Sequence, residues 1–195
     1  QDTSHETASE LMHLEEYVDV LIPRGGAALI RAVAREASVP VIRTGEGVCH
    51  VYIDAEADLD MGAKILYNAK CSRPSVCNAA ECVLIHQAVA ADFLQKAVPL
   101  LEEKNVELRC DETALSLVGS RGIPAQESDW DAEYDDYILA VRVVKDTQEA
   151  IDFINAHGSG HSEAIVTEDG EAARRFVATS ATRDARNRED FVAGV

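Results

Sequence analysis

Positive charge is what this sequence has least of: 18 Lys and Arg stand against 35 Asp and Glu, a formal net charge of −17 at pH 7. Nucleic acid and anionic membranes are bound through basic surfaces, so the balance argues against both as partners and predicts a soluble, self-repelling surface. No apolar run approaches the roughly 18 residues that cross a bilayer, and no basic stretch followed by an apolar one opens the chain. A membrane span and an export signal are therefore not expected, and the expected location is cytoplasmic. The five cysteines, at positions 49, 71, 77, 82 and 110, are an odd number and lack C-x-x-C spacing. That pattern indicates neither a disulfide framework nor a zinc site and fits a reducing compartment. Internal repeats and low-complexity tracts are also absent. The acidic run at 129–136 lacks EF-hand spacing and reads as a solvated loop, so no metal site is expected. The chain opens on Gln1 rather than Met, which points to a fragment, a processed product or an incomplete chain.

What is present is a chain of 195 residues with 47% hydrophobic content, enough for a real core in one good-sized domain or two small ones. Apolar runs of strand length alternate with helix-length amphipathic segments. A polar helix at 4–14 precedes the run Val18-Asp-Val-Leu-Ile22, and a glycine turn opens an Ala-rich helix ending near 36. Strands follow at 39–42 and 49–53, then a helix over 58–69 with Asp at its start. After residue 77 the rhythm repeats, with strands at 82–85 and 106–109 and helices at 88–103, kinked at Pro99, and near 112–117. A polar loop over 119–136 leads to a strand at 137–144, a helix at 147–156, a strand at 163–167 and a helix at 170–177. The charged tail from 178 has no pattern. Such alternation predicts an α/β fold, a parallel sheet with helices on its faces, and the break between the two α/β units is placed near residues 71–77. Clefts form where domains meet, so the break is also a candidate site.

Within it, Arg73-Pro-Ser-Val-Cys77-Asn-Ala-Ala-Glu81-Cys82 places a cysteine at a turn. Pro74 resists an upstream helix and 78–81 reads as helix former, so a short helix opening beside Cys77 would aim amides at its sulfur and lower the thiol pKa. A thiolate attacks carbonyls, whereas a thiol barely does. Cys82 and Cys110 read as structural, Cys49 as buried, and Cys71 as exposed beside Cys77. Arg24-Gly25-Gly26 has two readings: a helix N-terminus with bare amides and a cation for an anionic ligand, or a tight strand-to-helix turn. Thr44-Gly-Glu-Gly47 is likewise either a site-bordering loop or a turn. His50 fits a hydrogen-bonded core histidine, His86 ends a strand away from Cys77, and 157–162 is a Gly-rich loop.

Taken in order, Val18-Asp-Val-Leu-Ile-Pro-Arg-Gly-Gly26, Gly47-Val-Cys-His-Val-Tyr-Ile-Asp54, Ala57-Asp-Leu-Asp-Met61, Asn68-Ala-Lys70, the Cys77 segment and Gly158-Ser-Gly-His-Ser-Glu-Ala-Ile-Val-Thr-Glu-Asp169 resemble the gamma-glutamyl phosphate reductase family of the aldehyde dehydrogenase superfamily. The resemblance runs to about residue 177. It implies a partial Rossmann-like cofactor domain at 1–72, an α/β catalytic domain at 73–177 and an atypical tail at 178–195. It further implies NADP(H) as cofactor, gamma-glutamyl phosphate as substrate, a homo-oligomer, and a step of proline biosynthesis.

In that family Cys77 is implied to be the nucleophile that expels phosphate from the acyl phosphate, leaving a thioester that hydride converts to glutamate 5-semialdehyde. Arg24, Gly25 and Gly26 match the turn against the cofactor, and Glu133 matches an acid near the nicotinamide ribose. Asn78 stays beside the nucleophile with no assigned role. There are departures. Position 43 is Arg where many relatives carry Glu, which puts a general base there in question. The family's earlier strands have no counterpart before Gln1, and its Asn-Ala-Ser-Thr-Arg-Phe and closing hairpin segments have none after about 176. A catalytically silent domain of the same fold is the alternative expectation.

Overall fold

The computed structural model describes residues 4–25, 27–42 and 47–182. Its backbone contacts divide the chain into two compact units, Gln1–Glu46 and Gly47–Val195. In the first unit, α1 (His5–Leu11) is capped by the Ser4 hydroxyl, which accepts the Thr7 N–H, and α2 spans Ala27–Glu36. The strands expected at 18–22 and 39–42 are not formed. A single bridge pairs Leu21 with Val41, with the Leu21 N–H donating to the Pro40 carbonyl at 2.8 Å and the Ile42 N–H to the Leu21 carbonyl at 2.9 Å. Pro23 and Pro40 carry no N–H, so the ladder cannot extend through them. Gly25 has φ +147°, a backbone region that L side chains rarely adopt, so the turn before α2 requires glycine. Gly26 and residues 43–46, which include Arg43 and most of the Thr44-Gly-Glu turn, lie outside the described residues.

The second unit is a six-stranded sheet in the order β4-β3-β5-β2-β1-β6, every pairing parallel. Its strands are β1 (Cys49–Ile53), β2 (Ala80–His86), β3 (Glu107–Cys110), β4 (Gly122–Pro124), β5 (Ile138–Val144) and β6 (Glu163–Val166). Its helices are α3 (Leu59–Cys71), α4 (Ala90–Glu102), α5 (Glu112–Val118), α6 (Thr147–His157) and α7 (Gly170–Thr182). The polar stretch expected to be a loop at 119–136 therefore holds a short edge strand. The last helix runs five residues past its expected end, and α4 continues through Pro99.

Side chains two apart on a strand share a face, and the two faces bury different helices. Val51, Ile53, Val83, Ile85, Leu139 and Val141 meet α3, α4 and α5. Tyr52, Cys82, Leu84 and Ala140 meet α6 and Phe176 of α7. This is the expected parallel sheet with helices on both faces, and β1 is buried along its whole length, as parallel strands are. Helix starts follow from sequence: Asp58, Asp111 and Asp146 each accept a first-turn N–H, worth about 1 kcal/mol apiece. The compact units divide at Glu46/Gly47 rather than at 72/73, because β1 and α3 share one sheet and one core with β2 and α4.

Candidate active site

Because all six strands run the same way, the segments entering β1, β2, β5 and β6 converge on the amino edge of the sheet. Cys77 lies there, in the segment between α3 and β2. It is the exposed member of the five cysteines, the other four being buried. Open α/β sheets more often bind ligands at the carboxyl edge, and His86, at that far end of β2, uses Nδ1 to accept the Ala88 N–H at 3.1 Å.

The short helix expected from Asn78 is not formed. The Ala79 N–H donates to the Val76 carbonyl at 2.8 Å, closing a turn with Cys77 in its second position, and Ala80 and Glu81 already belong to β2. Ala80 is in register with Cys49. A one-turn helix makes too few hydrogen bonds to offset its nucleation, and pairing with β1 claims Ala80. Activation of Cys77 by a helix N-terminus therefore drops out. Cys71 is also not beside Cys77 at the surface. α3 extends to position 71, which turns its thiol into the core with Ala63 and Leu66.

One segment, residues 47–49, packs directly against the Cys77 turn, and two others hold that segment. The Cys49 thiol donates to the Cys77 carbonyl at 3.3 Å. Gly47 approaches so closely that a β-carbon there would overlap the same carbonyl oxygen. The Gly47 N–H in turn donates to Glu133 Oε1 at 2.9 Å, so the acid singled out by resemblance is tied to the segment facing Cys77. From the Gly-rich loop before β6, Ser159 Oγ accepts the Val48 N–H at 3.0 Å, and His161 Nδ1 lies 3.8 Å from Cys49 Sγ. Reading 157–162 only as a loop missed this packing. The motif match was its one sequence signal.

Burial raises the Cys49 thiol to about 12, with the Glu163 charge adding to the effect. Burial pushes Cys82 and Cys71 upward as well, and Cys110 to about 12. His50 is a core residue as expected, its Nδ1 3.1 Å from Glu163 Oε2. The acidic run is not simply solvated. Asp129 is buried, bonded to Arg109 at 2.6 Å and to the Gln126 N–H at 2.7 Å. No metal-binding cluster occurs among the described residues. Arg24 and Gly25 belong to the first unit, in the turn before α2.

No family model matches the chain. Among curated proteins, the gamma-glutamyl phosphate reductase of Clostridium beijerinckii is 52% identical over 177 residues, covering 91% of this chain and 42% of that protein. The crystal structure of gamma-glutamyl phosphate reductase from Thermotoga maritima superposes with a TM-score of 0.87 at 42% identity, over 91% of this chain and 43% of that one. At 16% identity, a mutant of the propionaldehyde dehydrogenase of Clostridium phytofermentans shares the fold, with a TM-score of 0.68 over 91% of this chain and 48% of that one. The chain thus spans about two-fifths of the length of the curated relatives it matches. Over that span it is similar in sequence to the gamma-glutamyl phosphate reductases and has the fold of the aldehyde dehydrogenases.

Proposed function

We propose that this chain carries the nucleophile of a gamma-glutamyl phosphate reductase, the NADPH-dependent oxidoreductase that makes glutamate 5-semialdehyde in proline biosynthesis, and that the nucleophile is Cys77. The observation that supports this most is the exposed thiol, on a turn whose carbonyl is held by Cys49, in a chain half identical to such enzymes. In this reading the Cys77 thiolate attacks the acyl carbon of gamma-glutamyl phosphate, phosphate leaves, and a thioester remains on Cys77. The Cys77 N–H is a donor for the oxyanion of that step. NADPH, when bound, supplies the hydride that reduces the thioester. Collapse of the resulting thiohemiacetal frees the semialdehyde and returns the thiolate.

Glu133 and the turn at Arg24, Gly25 and Gly26 are the residues assigned to that cofactor. An engineered glycolyl-CoA reductase of the same fold carries NADP+, which supports this type of cofactor. Among the described residues only one Glu133 oxygen is engaged, by Gly47, which fits a second oxygen accepting a ribose hydroxyl.

The test is semialdehyde oxidation in the presence of phosphate and NADP+. Turnover that Cys77→Ser abolishes is expected, and turnover that survives it overturns the assignment. The span of 42% favours a second reading, a domain that binds or acylates without turnover by itself. Acylation of Cys77 by an acyl phosphate without NADPH formation is its signature.

A further inference from the structure

Lys70 and Glu81 form an ion pair of 2.7 Å with both side chains withdrawn from solvent. Taking opposite charges out of water is costly, and well-packed apolar residues of similar volume often stabilise a core as much or more. Fold stability alone does not account for a pair at this place. Its location does. Lys70 lies in the last turn of α3 and Glu81 is the second residue of β2. The segment between those elements carries Cys77, so the pair joins the two ends of the segment that holds the proposed nucleophile.

Beside the pair, the Lys70 ammonium stands 5.9 Å from the Tyr134 ring. One residue earlier, Glu133 holds the Gly47 N–H, and Gly47 abuts the Cys77 carbonyl that Cys49 also engages. The Cys77 segment thereby runs between α3 and β2 with the start of β1 packed against its turn.

We infer that the Lys70–Glu81 pair is a positioning device for Cys77, fixing both ends of its segment. The inference rests on the proposed role of Cys77. Attack on an acyl carbon depends on placement, and a displacement of about 1 Å costs on the order of 10²-fold in rate. Glu81 also gives the device a pH signature. Burial pushes its carboxyl up to about 7, against Lys70. The titratable side chains facing it are Lys70 from α3, Tyr134 from the loop and Cys49 from β1.

The experiment measures acylation of Cys77 by acetyl phosphate and its alkylation by iodoacetamide across neutral pH, alongside urea unfolding, for Glu81→Gln and the apolar pair Lys70→Met/Glu81→Leu. The expected result is a folded apolar pair whose acylation is slowed about tenfold or more. Both variants are also expected to lose an inflection near pH 7 that the unaltered chain shows. A folded variant with unchanged rate and unchanged profile overturns the inference. Should the apolar pair not fold, Lys70→Arg decides, since it keeps the charge and must retain rate and inflection where Glu81→Gln loses them. Acetylation of Cys77→Ser as fast as the unaltered chain would instead defeat the nucleophile assignment, while alkylation of Cys77 in the pair variants would still report on the positioning.

Discussion

The buried Cys49 thiol donates a hydrogen bond to the carbonyl of the exposed Cys77, 3.3 Å away and 28 residues later in the chain. With its pKa pushed to about 12, first by burial and then by Glu163, Cys49 stays an S–H donor at any pH where the chain is used. Cys49→Ala removes the donor and leaves the Cys77 carbonyl without it. A loss of about 1 kcal/mol in urea unfolding and altered iodoacetamide reactivity of Cys77 are expected, with Cys49→Ser, which keeps a donor, closer to the unaltered chain. Equal effects of Ala and Ser would remove the hydrogen bond from the account.

Gly47 has no room for a side chain. A β-carbon there would overlap the Cys77 backbone, and backbone on both sides cannot yield as a flexible side chain would. Gly47→Ala is expected to cost about 1–3 kcal/mol, the usual range for overpacking, and to change Cys77 reactivity together with stability. An unfolding midpoint that does not move would show that the two segments do not approach as described.

Native-state labelling should discriminate among the cysteines. Cys77 is exposed, whereas Cys49, Cys71, Cys82 and Cys110 are buried with their thiols held protonated. Reactivity follows thiolate access, so mass mapping after brief alkylation should find the adduct on Cys77, with the other four modified only on unfolding. Early modification of Cys71 would restore the exposed position expected from sequence.

Asp54, at the end of β1, supplies an acid-sensitive element. Burial pushes its carboxyl up, but hydroxyls of Thr167, Tyr52 and Thr147 at 2.7, 3.0 and 3.2 Å outweigh that and hold it below its ordinary value. A carboxyl depressed in the folded state gives stability that is complete above its unfolded pKa and is lost as pH falls through the folded one. Asp54→Asn should flatten the stability-versus-pH curve below about pH 4, the unfolded Asp range. A curve of unchanged slope in that window would mean that the three hydroxyls do not favour the charged form.

Much of the architecture was legible because local signals agreed with the tertiary outcome. Asp58, Asp111 and Asp146 mark helix starts in the sequence and cap helices in the fold. The runs at 49–53 and 138–144 are β-rich and are fully or largely buried strands. The failures have a common cause. Residues 78–81 resemble a helix start and 18–22 a strand, but the first are taken up by the 76–79 turn and the start of β2, which pairs with β1, and the second meet a proline-interrupted partner. Lys70 and Glu81 were passed over because a buried ion pair between two elements leaves no periodic trace in either.

By itself the sequence determined the α/β class, the helix caps, the net acidic charge and, through its ordered motifs, the resemblance that singled out Cys77. These properties reside in local composition and in the order of residues. Tertiary structure alone decided how the turn that carries that thiol is held. Cys49, Gly47, Glu133 and the Lys70–Glu81 pair come from four separate segments. They meet at one edge because six parallel strands bring their amino ends together, and it was strand pairing, rather than local helix propensity, that shaped the turn on which Cys77 sits.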